Sequence, residues 1–370
     1  MIMDQDATNR ILVSGFSNHL AGTEAVIRNY VYATQDVLSF VFLVWEEPTN
    51  YSELFEGTRN RYFVIPRKSV NLFGYQRGMK QFFENHQGEY SALWSSMCNL
   101  SNIDYLRYAK RYGIERRIIH AHCDSYLGAG YNVALSRFHR KEALELANER
   151  WACSRLAGDF FFGDLGYELV TNAVDPSRFS FSAAKRASFR ECLGIPADAF
   201  VFGAVGTLNE RKNHAFLINA LKIILETRTN SYLLIVGDGE LRDVLICEAE
   251  NLGLSEHVVL AGQQTDMSLA LSALDVFAFP SLHEGLPMAV VEAQFNGLPC
   301  VISDQVSGEA SITPRCTFAP LNDPGVWAEA ILAKDGERFD VTSTEMGPFD
   351  INASAGTFLS LMRDGWFGYC

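Results

Sequence analysis

No stretch of this 370-residue chain approaches the ~18 consecutive uncharged apolar residues that a membrane-spanning helix needs. The first ten residues are polar and hold no apolar signal region. The eight cysteines are Cys98, Cys123, Cys153, Cys192, Cys247, Cys300, Cys316 and Cys370, and no two of them form a Cys-x-x-Cys pair. That spacing argues against a zinc or thioredoxin-type site. Several stand in apolar runs and read as buried thiols. A cytoplasmic location, reduced cysteines and no membrane span are the expectations. Low-complexity tracts and internal repeats are absent too. Basic charge is scarce in the second half. Residues 1–180 carry 19 Lys+Arg against 20 Asp+Glu, and residues 181–370 carry 12 against 24. Nearly all of the net charge of −13 therefore lies in the second half, which lacks the basic footprint of non-specific nucleic-acid binding.

What is present is an ordinary globular composition, 48% apolar and 20% charged. The length exceeds one ordinary core and points to two domains. In the first half, residues 11–16, 39–45, 92–94 and 117–122 read as strands. A helix starts near Glu24, a charged helix covers 137–150, and 151–154 and 168–171 close the half. Residues 59–83 mix Arg59, Arg61, Arg67, Lys68, Arg77 and Lys80 with aromatics. A linker follows at 172–181. The second half alternates clearly: strands at 201–205, 232–236, 257–260, 275–279 and 299–302, helices at 214–226, 239–252, 267–273 and 287–296. Uninterrupted apolar strands alternating with helices mean parallel sheet covered on both faces. Such sheets bind ligands at the carboxyl ends of their strands.

One segment carries chemistry, Pro280-Ser-Leu-His-Glu-Gly-Leu-Pro-Met-Ala-Val-Val-Glu-Ala-Gln294. A strand ends, a loop presents His283, Glu284 and Gly285, and Pro287 fits the first turn of a helix bearing Glu292. A helix start offers free N–H groups and a positive dipole end, which suit a phosphate. Gly285 permits close backbone approach to a ligand. Two carboxylates flanking an anion site suit hydroxyl donors. A nucleotide sugar has hydroxyls on both sides of a diphosphate.

The Glu284-x7-Glu292 spacing in this setting resembles the signature of the retaining family 4 glycosyltransferases, in the branch of bacterial capsule and exopolysaccharide synthesis. Supporting stretches are 205–214, 235–242 and 293–303, and the resemblance covers nearly the whole chain. It implies the GT-B fold: two Rossmann-like α/β domains facing each other across a cleft. Their expected bounds are 1–171 for the acceptor domain and 172–348 for the nucleotide-sugar domain. Residues 349–370 hold a last helix that crosses back to the first.

The resemblance also implies roles. Glu284 contacts the donor sugar, Glu292 the ribose hydroxyls, and Gly285 and Leu286 the phosphate oxygens. A helix-entry charge and a solvated helix face are the alternatives for the two glutamates. Lys212 matches the family's basic residue on the diphosphate, beside Gly206. Thr207 stands where relatives usually carry Arg, and Arg211 is close enough in sequence to fill the gap. Gly15 and the Ala21-Gly22-Thr23-Glu24 run resemble the glycine-rich loop near the donor phosphates and acceptor. His122 matches the histidine that reaches the donor sugar, whereas His120 reads as structural. Asn18 and His19 are candidates for the acceptor side. Lys212, Glu284 and His122 form the expected catalytic set.

The implied reaction is transfer from a UDP- or GDP-sugar, UDP favoured, to a glycan or lipid-linked acceptor. It needs no obligatory metal or cofactor beyond the donor, and no nucleic-acid partner. Residues 59–83 suit peripheral contact at the inner membrane face, although their aromatics equally suit a core. A non-catalytic partner subunit of the same fold and a nucleotide-sugar epimerase remain alternatives. A nicotinamide dehydrogenase is disfavoured, since Gly237-Asp-Gly239 is only a partial fingerprint.

Overall fold

The fold is taken from a computed structural model, which describes residues 9–19, 22–126, 128, 130–334, 336–339 and 346–364. The chain forms two compact units, residues 1–174 with 348–370 and residues 175–347.

Unit 1 holds a seven-stranded parallel sheet. Its strands are β1 (Arg10–Ser14), β2 (Ser39–Val44), β3 (Arg61–Val64), β4 (Ala92–Met97), β5 (Arg116–Ala121), β6 (Glu149–Ala152) and β7 (Glu168–Leu169), in the order β3-β2-β1-β4-β5-β6-β7. Its helices are α1 (Gly22–Thr34), α2 (Leu72–Asn85), α3 (Asp104–Arg111), α4 (Gly130–Leu146) and α5 (Arg155–Phe162). Unit 2 holds α6 (Pro176–Phe179), α7 (Ala183–Cys192), α8 (Ala215–Thr227), α9 (Arg242–Asn251), α10 (Met267–Ala273), α11 (Met288–Phe295) and α12 (Pro324–Leu332). Its strands are β8 (Phe200–Val205), β9 (Ser231–Val236), β10 (Val258–Leu260), β11 (Val276–Phe279), β12 (Cys300–Ser303) and β13 (Cys316–Ala319). They form a six-stranded parallel sheet in the order β10-β9-β8-β11-β12-β13. Both units are Rossmann-like. The central strands are apolar runs, buried along nearly their whole length, as sheets covered on both faces require. In each sheet the strand order reverses next to the first strand, between β1 and β4 and between β8 and β11. That switch point is where an open parallel sheet receives ligands.

Several sequence expectations change here. The helix expected over 137–150 ends at Leu146, and β6 begins at Glu149. Asn148 breaks it, accepting from Arg117 N and donating to Glu115 O beside β5. The helix expected from residue 239 starts at Arg242, because Gly239 is packed on the Leu208 backbone. Residues 59–83 split between the two readings. Tyr75, Met79, Phe82 and Phe83 are core, whereas Val70 and Phe73 are exposed at 81% and 84%.

A last helix, α13 (Ile351–Asp364), belongs to unit 1. Val174 pairs with Asp350 as the chain re-enters that unit. Phe358 stacks on Tyr30 at 4.6 Å between ring centroids and meets Trp94 at 5.1 Å and Trp151 at 5.7 Å. Arg116 grips Glu149 through Nε (2.6 Å) and Nη2 (2.9 Å) and donates to the carbonyls of Leu361 and Met362. A cation on the terminal carbonyls of a helix offsets their missing partners. Phe358→Ala is expected to destabilise unit 1 by about 3–5 kcal/mol, the usual cost of emptying a buried aromatic site. Urea unfolding followed by tryptophan fluorescence measures it. A loss below about 1 kcal/mol would show that the ring stack does not hold the helix.

Candidate functional site

The head of unit 2's sheet is built by two segments, the turn after β8 and the loop after β11. Gly206 follows β8, and a Cβ there would lie 3.2 Å from Lys212 Cε, so the lysine stem crosses over it. Gly237, after β9, approaches the same backbone, and a Cβ on it would meet Gly206 O at 2.0 Å. The glycines of Gly237-Asp-Gly239 thus serve close backbone packing. Asn209 accepts from Lys212 N at 3.1 Å and closes a short 3-10 turn over Glu210–Lys212. Asn213 then reverses the chain in a left-handed conformation, φ 54°. The turn is stitched to the β11 loop by Leu282 N to Arg211 O (2.8 Å), Ser281 Oγ to Arg211 O (2.9 Å) and Asn213 Nδ2 to Pro280 O (3.3 Å).

This stitching brings three predicted residues together. Lys212 Nζ lies 2.7 Å from Glu284 Oε1, and Arg211 Nη1 meets the same oxygen. The Lys212 and Glu284 side chains are 13% and 15% exposed, whereas that of Arg211 is 41% exposed. Burial pulls the Lys212 ammonium below the ordinary lysine range, and the Glu284 charge opposes that shift. The Phe279 ring sits 4.5 Å from Lys212 Nζ as a cation–π partner. Arg211 is therefore engaged with the carboxylate, and Thr207 is an exposed residue beside the turn.

Glu284 is fixed through its backbone, bridging to Val306 and accepting from Ser307 N at 3.0 Å. Gly285 and Leu286, half-buried, lead into α11. Pro287 caps that helix rather than occupying its first turn. Six of the eight α11 residues are buried, and Glu292 lies on the half-exposed face with Ala289. Gln294 is structural. It donates to Val290 O and Ala310 O and accepts from Ile312 N, Thr313 N, Thr313 Oγ1 and Cys316 Sγ.

The head of unit 1's sheet is built differently. Gly15, at φ +85°, stands so close to β4 that a Cβ would fall 1.9 Å from Ser96 O. Gly22 opens α1, and Ala21 lies outside the described residues. Ser17 Oγ donates to Glu24 Oε1 at 2.5 Å across this loop. Burial raises the Glu24 carboxyl, and the Ser17 hydrogen bond opposes it. Asn18 is bound to Thr49 and Asn50, and the His19 carbonyl accepts from Tyr51 OH.

His120 is fully buried. Its Nδ1 accepts from Trp94 Nε1 at 3.3 Å, and its Nε2–H donates to Val170 O at 2.9 Å. Those partners fix one neutral tautomer, so this ring is structural. His122 follows the end of β5 on the same side, with ring centroids 4.1 Å apart. Both His122 ring nitrogens are shielded from solvent without a hydrogen-bond partner, as is Asn172 Oδ1. Burial drops the His122 imidazole from 6.5 to about 4, opposed by the Asn172 side chain beside it. Asn172, placed in the linker by sequence, had no periodicity to mark it.

His122 is thus neutral across the physiological range. Between pH 6.5 and about 4, an unfolded chain takes up a proton at this ring that the folded chain refuses. Stability should fall as pH drops through that window. Unfolding midpoints in urea at stepped pH are expected to show a shallower acid loss for His122→Gln than for wild type. Parallel slopes would contradict the buried neutral ring.

The model of the family described as "Glycosyl transferases group 1" matches residues 185–314, which span this ion cluster. EpsF of Bacillus subtilis (strain 168), a protein assigned to the glycosyltransferases, is 30% identical over 324 residues, covering 84% of this chain and 83% of that one. The UDP-Gal:alpha-D-GlcNAc-diphosphoundecaprenol alpha-1,3-galactosyltransferase of Escherichia coli is 35% identical over 149 residues, 40% of this chain and 38% of that protein. Among solved structures, HepE from Anabaena in complex with UDP-glucose overlaps with a TM-score of 0.72 at 18% identity, covering 96% of this chain and 97% of that one. The two Rossmann-like units and this full-length overlap give the chain the GT-B fold. With identity extending along most of EpsF and the family model centred on the Lys212–Glu284 head, the chain belongs to the group 1 glycosyltransferases.

Proposed function

We propose that the chain moves a hexose from a nucleotide diphosphate sugar to a hydroxyl of a glycan or lipid-linked oligosaccharide in surface polysaccharide synthesis, with retention at the anomeric carbon. The observation that carries this reading is the convergence of Lys212 and Arg211 on Glu284 at the entry to α11. A UDP-sugar is favoured over a GDP-sugar, in line with the UDP-galactose in the Escherichia coli relative's name and the UDP-glucose bound to HepE.

In this reading the diphosphate competes with Glu284 for the two cations. Its arrival draws Lys212 and Arg211 onto the phosphate oxygens and frees the carboxylate to accept hydrogen bonds from the sugar. The N–H groups of the Gly285–Leu286 loop and the start of α11 add fixed positive dipoles. Gly206 and Thr207 border the phosphates, and Glu292 accepts from the ribose hydroxyls. For His122, Gly15 and Gly22 the family resemblance supplies the roles: the first on the donor sugar, the glycines near phosphates and acceptor. The acceptor oxygen attacks the anomeric carbon on the face that the diphosphate leaves. A departing phosphate oxygen takes the acceptor proton. The protein supplies positioning and charge stabilisation. A peripheral contact of the cytoplasmic enzyme with the membrane would run through residues 59–83, where Val70, Leu72 and Phe73 are exposed beside Arg67 and Arg77.

Thermal-shift titration with UDP, GDP and their sugars tests donor binding, since a ligand selective for the folded state raises Tm. UDP is expected to give the larger shift, weakened in Glu292→Ala. Glu284→Gln should retain nucleotide binding and lower transfer about 100-fold, and Lys212→Ala should weaken both. Net release of free UDP with an acceptor present separates transfer from epimerisation. No shift with any nucleotide would favour a non-catalytic partner subunit.

A further inference from the structure

Three cysteines that look unrelated in sequence stand at the carboxyl ends of three neighbouring strands. Cys98 directly follows β4, Cys123 lies two residues past β5, and Cys153 directly follows β6. Cys153 is buried, whereas Cys98 and Cys123 are partly exposed. The chains bearing Cys98 and Cys123 are held side by side. Met97 pairs with Ala121, and His122 N donates to Met97 O at 3.1 Å. Neighbouring strands lie about 4.8 Å apart. Cys98 stands one residue past that register and Cys123 two, diagonal neighbours on adjacent chains whose thiols lie within hydrogen-bonding reach of each other.

The two thiols are not equivalent. A hydrogen bond from the Cys123 thiol holds Cys98 below the ordinary thiol range, and the same contact together with burial pushes Cys123 up. Thr23 Oγ1 lies 3.7 Å from Cys98 Sγ, in the first turn of the 13-residue helix α1. A helix N-terminus and a hydroxyl both favour a thiolate. No three His, Cys, Asp or Glu side chains among the described residues are arranged to hold a metal ion. The chemistry available to the pair is thiol chemistry.

We propose that Cys98 and Cys123 form a peroxide-sensitive thiol pair that closes to a disulfide at the head of unit 1's sheet. Cys98 thiolate attacks one oxygen of hydrogen peroxide, the O–O bond breaks, and the released hydroxide takes a proton to leave as water. Cys98 is now a sulfenic acid. The Cys123 sulfur attacks the Cys98 sulfur, the S–O bond breaks, and the Cys123 proton leaves with that oxygen as a second water. The two thiols have lost two electrons and two protons, and one peroxide has become two waters. The bond ties Cys98, which touches α1, to the residue after His122. Oxidation is therefore expected to impair any chemistry that uses the Gly22 loop and His122. That consequence rests on the transferase reading, whereas disulfide formation does not.

The test uses the full-length chain, reduced, freed of reductant and treated with hydrogen peroxide. Tryptic mass spectrometry reads the linkage, since Arg107, Lys110, Arg111, Arg116 and Arg117 separate the two cysteines. The expected product is a Cys98–Cys123 peptide cross-link, formed before the exposed Cys192 and Cys247 are oxidised. In Cys123→Ser, Cys98 should persist as a sulfenic acid that dimedone traps. In Cys98→Ser, Cys123 should stay unmodified at the same dose. Iodoacetamide should label Cys98 of the reduced protein about tenfold faster than an unperturbed thiol at neutral pH. Absence of the cross-link in wild type, or oxidation of Cys192 and Cys247 ahead of Cys98, would overturn the proposal. If the cross-link forms and nucleotide binding or transfer is absent even in the reduced protein, the transferase reading fails and the thiol pair stands.

Discussion

A nearly dehydrated ammonium leans on a nearly dehydrated carboxylate at the head of unit 2's sheet, and much of the local backbone exists to keep them there. Lys212 and Glu284 come from segments 72 residues apart. Asn209 closes the turn that carries the lysine, Asn213 reverses the chain behind it, and Ser281 and Leu282 bind the Arg211 carbonyl. An ion pair removed from water adds little net stability, because desolvation offsets the attraction. Removing one partner is costly, because it leaves an uncompensated charge. In the proposed transferase reading, such a pair is electrostatic potential set in place before the donor arrives.

The head of unit 1's sheet is organised without such a buried Lys–Glu pair. Burial drives three of its titratable groups away from their charged forms: Glu24 is pushed up, and His120 and His122 are pushed down. Its glycines serve geometry, since Gly15 lets β1 and β4 approach more closely than any side chain would allow. The contrast follows from what lines each switch point. Unit 2 presents cations from a turn and a carboxylate from a loop. Unit 1 presents imidazoles, hydroxyls and thiols from strand ends.

Legibility in the sequence tracked the kind of signal. The strands of unit 2 were readable because a strand buried on both faces is a continuous apolar run between turn residues. The end of α4 was not, because Asn148 stops the helix through hydrogen bonds to Glu115 and Arg117, more than 30 residues back. The 59–83 region defeated periodicity for a related reason. Its α2 turns one aromatic face to the core and leaves Phe73 outside, and only the neighbouring elements decide which face is which. The Glu284-to-Glu292 spacing was readable as a pattern, while Asn172 and Cys98 carried no local mark at all.

The sequence by itself determined the parallel α/β architecture and the short segments that bear the charged residues, because these depend on periodicity and spacing within about fifteen residues, and its motifs carried the resemblance to the family. Tertiary structure alone decided that Arg211 rests on Glu284, that His120 is locked in one tautomer, and that Cys98 meets Cys123. Each of these is set by strand order and register. A parallel sheet brings together chain ends that lie dozens of residues apart, and side-chain type in one segment says nothing about what the next strand places opposite it.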